Sequence, residues 1–308
     1  MVETQRINRF TKRINRGELN TIAALKALSE LPDSPGGPVL RSALYELNRL
    51  VGLDQVKEVV LEIKAYLEIQ QKRAACGLRS SPQMLHMIFK GNPGTGKTTV
   101  ARLLGQIFKG LGVLPRGHLV EVERADLVGE YIGQTAQKTR EKLKDSRGGI
   151  LFVDEAYSLG RGGEKDFGKE AIDVLVKGME DWRSEFILVL AGYRLQMSQF
   201  VALNPGLSSR FPLQIDFPDY TVHELLAIAD MMATERHYQW SPAARLRLER
   251  YLANKLLYQR PHFSNARLVR NILEKSLRRQ ALRLSRRENL SREDLVLIDR
   301  ADLAVEDR

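Results

Sequence analysis

Residues Gly91-Asn92-Pro93-Gly94-Thr95-Gly96-Lys97-Thr98 follow the apolar run Met87-Ile88-Phe89 and precede a helix-forming stretch over 100–108. No other feature constrains the fold of this chain as strongly. A glycine-rich turn between a strand and a helix directs successive backbone N–H groups inward, at a helix N-terminus whose dipole favours an anion. Gly91, Gly94 and Gly96 permit positive φ and a close approach of the backbone to phosphate. Lys97 is expected to reach the β- and γ-phosphates and Thr98 to offer its hydroxyl to Mg²⁺. Asn92, Pro93, Thr95 and Thr99 complete the expected cradle. A chance glycine-rich turn would share the composition but lack this strand and helix context. The stretch reads as a nucleoside triphosphate site.

The second half of the chemistry lies 63 residues further on. Gly148-Gly149 breaks the chain ahead of Ile150-Leu151-Phe152-Val153-Asp154-Glu155. Four consecutive apolar residues behind a turn signal predict a strand buried on both faces, as in a parallel sheet. Ligands of such sheets bind beyond the carboxyl ends of the strands, where Asp154 and Glu155 fall. Asp154 is placed to hold Mg²⁺ and its hydration shell, and Glu155 to orient and deprotonate an attacking water. Acidic pairs after apolar runs are common on surfaces. Behind a phosphate loop, this pair predicts hydrolysis of the bound nucleoside triphosphate.

Further strand candidates at 84–89, 118–122, 186–191 and 213–217 alternate with helix-compatible segments up to about residue 219. The pattern predicts a parallel five-stranded sheet flanked by helices. From residue 221 no strand pattern persists, and 222–237, 242–257, 265–286 and 292–298 predict a helical C-terminal domain. Leu31-Pro32-Asp33-Ser34-Pro35-Gly36-Gly37-Pro38 marks a linker or turn. The expected organisation is a helical arm and linker over 1–48, an α/β nucleotide-binding domain over 49–219 and an α-helical lid over 220–308. A length of 308 residues with 43% hydrophobic content suffices for two cored domains.

Several classes are disfavoured. No run approaches the ~18 apolar residues of a membrane span, and the first residues have no apolar signal-like region. Cys76 is the only cysteine, which excludes an internal disulfide. A cytoplasmic setting is therefore expected, with Cys76 a buried or incidental thiol. The net charge of +10 concentrates near the C-terminus, in Arg267, Arg270, Lys275, Arg278, Arg279, Arg283, Arg286, Arg287 and Arg292. A solvated helix face accounts for such a run. No aromatic residue interleaves with these cations, so a base-stacking surface is unsupported and nucleic acid is not the expected partner.

Taken together, the motifs resemble those of AAA+ ATPases, and within them the CbbX/CfxQ group, most closely its sporulation branch. The resemblance covers about residues 48–285. It is carried by the phosphate loop with its flanks, by Arg124-Ala125-Asp126-Leu127-Val128-Gly129-Glu130-Tyr131-Ile132-Gly133-Gln134-Thr135 and by Asp154-Glu155-Ala156-Tyr157-Ser158-Leu159. Asn204-Pro205-Gly206-Leu207-Ser208-Ser209-Arg210-Phe211 and Asp216-Phe217-Pro218-Asp219-Tyr220 complete it.

The resemblance implies an AAA+ α/β domain with a helical lid that hydrolyses ATP with Mg²⁺. It makes Arg210 an arginine finger reaching the γ-phosphate held by a neighbouring subunit, hence a homo-oligomer, expected to be a hexameric ring. A local carboxylate partner is the alternative for Arg210. Arg267, in Ser264-Asn265-Ala266-Arg267, matches the sensor-2 arginine. Val51-Gly52-Leu53 matches the segment beside the adenine, although core packing explains Val51 and Leu53 equally well. Tyr131, Ile132 and Gly133 resemble the first pore loop of rings that thread a protein client, with a buried anchoring tyrosine as the alternative. Gly160-Arg161-Gly162-Gly163 is a second pore-loop candidate. The strand over 186–191 runs into Gly192-Tyr193 with no short polar side chain, so no sensor-1 residue is assigned. Members of the group remodel Rubisco; the client of the sporulation branch is not legible in its motifs.

Overall fold

The computed structural model describes residues 37–79, 84–131, 133–161, 166–258 and 263–305. Residues 1–36 of the expected arm over 1–48, Ile132, and Gly162 and Gly163 of the second pore-loop candidate lie outside the described residues. The chain divides into two compact units. One comprises the described residues up to Lys90 together with Lys97–Asp216, the other Gly91–Gly96 together with the chain from Phe217 onward.

The first unit is built on a five-stranded sheet in the order β2-β3-β4-β1-β5. The strands are β1 (Met87–Gly91), β2 (Leu119–Val122), β3 (Ile150–Val153), β4 (Ile187–Gly192) and β5 (Leu213–Phe217). Pairing is parallel wherever the register is fixed: Leu119 opposite Ile150, Ile150 opposite Ile187, Met87 opposite Val189. Every residue of β3 and β4 is buried, as expected of central strands covered by helices on both faces. Helix α1 (Gly37–Arg49) buries Leu40, Ala43, Leu44 and Leu47, one stripe at helical spacing. It packs over the end of α3 (Lys97–Gly110), where a Cβ on Gly110 would sit 2.6 Å from that of Leu40. Residues 37–48 are therefore integral to this unit. Helix α2 (Asp54–Ala75) follows, and Cys76 at its end is exposed, which leaves the incidental thiol of the two expected alternatives.

In the second unit, helices α9 (Val222–Glu235), α10 (Pro242–Tyr258) and α11 (Asn265–Leu284) correspond to the expected segments. The short α12 (Arg292–Val296) does so only in part. Its expected last residues form β7 (Leu297–Ile298), paired in parallel with β6 (Gln239–Trp240). A two-residue pairing across such a separation leaves no local periodicity to read. Buried Ile298 packs with Ala233 and Leu273, and Trp240 Nε1 donates to Ala229 O at 3.2 Å. Part of the basic run closes this unit. Arg283 meets Asp302 through two 2.7 Å bonds, Arg279 donates to Leu303 O at 3.0 Å, and Arg287 reaches Asp294 at 3.0 Å. Among the described residues no helix is long and apolar enough to cross a membrane.

One buried histidine makes stability pH-dependent. His86, just ahead of β1, is 1% exposed; its Nδ1 accepts from Leu188 N at 2.9 Å and its Nε2 has no protein partner. Burial lowers its pKa from 6.5 to about 4. Between these values the unfolded chain binds the proton and the folded chain does not, so stability is complete above pH 6.5 and falls as pH drops toward 4. Urea denaturation is expected to show a loss of about 2 kcal/mol from this site between pH 7 and pH 5. His86→Gln, which keeps an acceptor but does not titrate, should remove that part of the pH dependence.

Candidate active site

The loop after β1 has the backbone geometry that its glycines allow. Gly94 holds φ +71° and Gly96 φ +94°. A Cβ on Gly94 would collide with the carbonyl oxygen of Ser264 and lie 2.7 Å from the backbone nitrogen of Arg267. Gly91 lies as tightly against Phe217, where a Cβ would come within 2.8 Å of the phenylalanine Cβ. Thr95 is fully buried and its Oγ1 donates to Asn92 O at 2.8 Å, closing the turn from inside. The chain then enters α3, whose first turn carries no acidic side chain to occupy the positive end of the helix dipole. Lys97 and Thr98 open that helix half-buried, and Thr99 is exposed.

The acidic pair emerges on the same edge of the sheet. Val153 lies opposite Leu190, and Leu190 opposite Ile88, so β3 ends three residues short of Gly91 with β4 between them. Asp154 N donates to Val122 O at 2.9 Å, and the Asp154 carboxylate accepts from Glu155 N at 2.9 Å. Glu155 is exposed and adopts φ +46°, a left-handed conformation that costs a non-glycine residue about 1–2 kcal/mol. Strain of this kind is characteristic of functional positions. Tyr157, two residues on, is buried beside Glu155. Burial, and after it the Glu155 charge, pushes the phenol above its ordinary value, so it remains a donor at neutral pH. The Arg161 guanidinium covers the Tyr157 ring at 4.6 Å, and the Tyr193 ring stands 5.9 Å away. Arg124 braces the same turn, donating to Ser158 O and Asp166 at 2.6 Å each. That bond holds the Asp166 carboxyl below its usual range.

The donor set fits Mg²⁺. Among the described residues no group of three or more metal-ligating side chains exists. A magnesium ion that keeps waters and takes phosphate oxygens needs only one or two protein ligands, here the Thr98 hydroxyl and the half-buried Asp154 carboxylate.

The remaining predicted residues come from other elements. Tyr131 is 67% exposed, so the buried-anchor alternative fails. Its loop is stapled at the root by α5 (Gln134–Asp145). There Thr135 Oγ1 accepts from Gly129 N at 2.9 Å and Thr139 Oγ1 donates to Leu127 O at 3.1 Å. Gly133 turns into α5 at φ +85°. Arg210 pairs with Glu180 and donates to Gly206 O at 2.8 Å, so in the single chain it does have the local carboxylate partner. Val51 and Gly52 are half-buried between α1 and α2, where Gly52 and Leu53 both take φ +60°. Arg267 is exposed in the first turn of α11, in the second unit. Asn265, Asp219, Glu180, Arg124 and Thr135 had no role assigned from sequence, because their roles depend on partners distant along the chain.

A family model for the ATPases associated with various cellular activities (AAA) matches residues 87–219, and one for the AAA lid domain matches residues 221–308. Stage V sporulation protein K of Bacillus subtilis is 56% identical over 270 residues, covering 87% of this chain and 84% of that relative. The chain is an AAA ATPase of the CfxQ/CbxX family. The chloroplastic ribulose bisphosphate carboxylase/oxygenase activase of Cyanidioschyzon merolae is 45% identical, with 86% and 91% covered. The crystal structure of the FIGL-1 AAA domain in complex with ADP shares the fold at a TM-score of 0.56 and 16% identity, with 82% and 80% covered. As an AAA ATPase the chain hydrolyses ATP, and Gly94, with φ +71° and backbone of Ser264 and Arg267 against it, leaves no room for a side chain. Gly94→Ala should weaken binding of a fluorescent ATP analogue at least about tenfold, since an alanine there is strained by about 1–2 kcal/mol in addition to its clash.

Proposed function

We propose that this AAA ATPase uses ATP hydrolysis to pull on a protein client, as a homo-oligomeric ring of six subunits. The observation that carries the client reading is Tyr131, exposed at the tip of a loop whose root is fixed by Thr135 and Thr139. An aromatic side chain on a rigid root suits gripping a polypeptide. The 56% identity to the sporulation protein, against 45% to the Rubisco activase, favours a client in spore formation over Rubisco remodelling.

In this reading the N–H groups of Gly91–Thr98 and the Lys97 ammonium hold the triphosphate, and Val51 and Gly52 flank the base. Bound Mg²⁺ supplies charge neutralisation, with Thr98 and Asp154 as its protein ligands. Glu155 takes a proton from water as the water oxygen bonds to the γ-phosphorus. The bond to the bridging oxygen breaks with its electron pair passing to ADP. Arg210 stabilises that charge from the next subunit. Assembly must therefore draw it away from Glu180, and Arg267 reports nucleotide state to the lid.

Phosphate release should fall by about 10²–10⁴ in Glu155→Gln, the span expected for loss of a general base, with nucleotide binding retained. Undiminished turnover would sink the assignment. A pull-down with the same variant and ATP should retain a protein, and recovery of nucleic acid in its place would overturn the client reading. Arg210→Ala should lose turnover by about 10³ or more while binding ATP normally. Mixing it with Lys97→Ala subunits, whose own sites are dead but whose arginine is intact, should restore part of the activity. Light scattering with ATP should report six subunits.

A further inference from the structure

An anion-binding loop has two faces. Its N–H groups point at the ligand, so its carbonyls point the other way, and each needs a donor if the conformation is to persist. Here four successive carbonyls have one. Asn92 O accepts from Thr95 Oγ1 at 2.8 Å, Pro93 O from Asn265 Nδ2 at 3.3 Å, Gly94 O from Ala266 N at 3.2 Å and Thr95 O from Tyr220 Oη at 3.3 Å. Three of the four donors come from 220–266, within the same compact unit as Gly91–Gly96.

The side chains of Asp219 and Asn265 join this wall together. Asp219 accepts from Asn92 Nδ2 on both oxygens at 2.9 Å and from Asn265 Nδ2 at 2.7 Å. The other end of the Asn265 amide accepts from Tyr220 N at 2.9 Å, so the amide fits in only one orientation. Asn265 is fully buried and holds φ +46°. Asparagine is among the few residues that tolerate that backbone while offering both a donor and an acceptor. The 2.7 Å bond is charge-assisted and is the strong member of the set.

We propose that Asp219 and Asn265 are positioning residues for nucleotide binding. They clamp the phosphate loop from behind, so nucleotide affinity depends on the first residue of α11 independently of any contact made by Arg267. The proposal rests on reading Gly91–Thr98 as the phosphate site.

The test is fluorescence titration of the full-length chain with the N-methylanthraniloyl derivatives of ATP and ADP, alongside thermal denaturation. Asn265→Asp keeps the shape, the tolerated backbone and the acceptor for Tyr220, but sets an oxygen against Asp219 and Pro93 O. It is expected to raise Kd for both nucleotides at least about tenfold, the scale of a lost hydrogen bond to a charged group. The reciprocal pair Asp219→Asn with Asn265→Asp restores donor against acceptor between the two side chains while Pro93 O stays opposed by an oxygen, so it should recover part of the loss, at least about threefold in Kd relative to Asn265→Asp. A merely structural role predicts no such rescue. Wild-type affinity in Asn265→Asp, or a folded double variant with no recovery, would overturn the clamp. Should Asn265→Asp fail to fold, Asn265→Gly decides. It relaxes the left-handed backbone while deleting the amide, and is expected to fold yet bind at least about tenfold more weakly; wild-type affinity in it would overturn the clamp. Lys97→Ala separates the two levels. If it binds like wild type, the phosphate-site reading itself fails. If it loses binding while the Asn265 variants do not, only the clamp fails.

Discussion

The site depends on a conflict in the polypeptide backbone that the fold has to resolve. Turning a row of N–H groups toward one anion turns a row of C=O groups toward protein, and an unpaired buried carbonyl costs about 1–3 kcal/mol. The loop over 91–98 resolves it with partners for the carbonyls of Asn92, Pro93, Gly94 and Thr95, only one of them from within the loop itself. Its glycines serve the same end. At Gly94 the φ of +71° and the proximity of Ser264 and Arg267 each exclude a side chain. The loop's first six residues pack as part of the unit that contains α9–α11, although in sequence they continue β1.

The catalytic edge follows from a second constraint, the parallel sheet. Parallel strands place all their carboxyl ends on one side, so residues after β1, β3 and β4 converge there whatever their separation in sequence. With β4 between β1 and β3, the ends of β1 and β3 flank the end of β4, where Gly192 and Tyr193 stand. Tyr193 packs on Tyr157, whose phenol feels the Glu155 charge. Tyr193 thus stands at a strand end that carries no short polar side chain, and its ring contact with Tyr157 links it to the turn that follows the acidic pair.

The phosphate loop, the acidic pair, the five strands and the three longer lid helices were legible because each rests on a local signal: glycine spacing, an apolar run or a helical stripe. The misreadings have the opposite character. The β6–β7 pair joins two-residue segments 239–240 and 297–298, too short to carry a period. Residues 37–48 looked like part of an arm because a Pro/Gly cluster precedes them, yet Leu40 and Leu47 are fully buried against neighbours far along the chain. The basic run over 267–292 has the composition of a solvated face. Eight of its nine cations are exposed, so that reading holds; what charge counting does not reveal is that Arg279, Arg283 and Arg287 also bond to Leu303, Asp302 and Asp294.

Sequence by itself determined which chemistry the chain can carry. A glycine-rich loop, a lysine, a hydroxyl and two carboxylates at strand ends specify triphosphate binding and hydrolysis, because those residue types act through short-range geometry written in consecutive positions. Tertiary structure decided what holds that chemistry in place. Asn265 and Asp219 read as ordinary polar residues until they lie behind the loop, Tyr131 is an exposed tip only because Thr135 and Thr139 fix the root beneath it, and Arg210 shows its Glu180 partner only in the fold. Each of these depends on a partner 6 to 172 residues away, and such hydrogen bonds are created by packing.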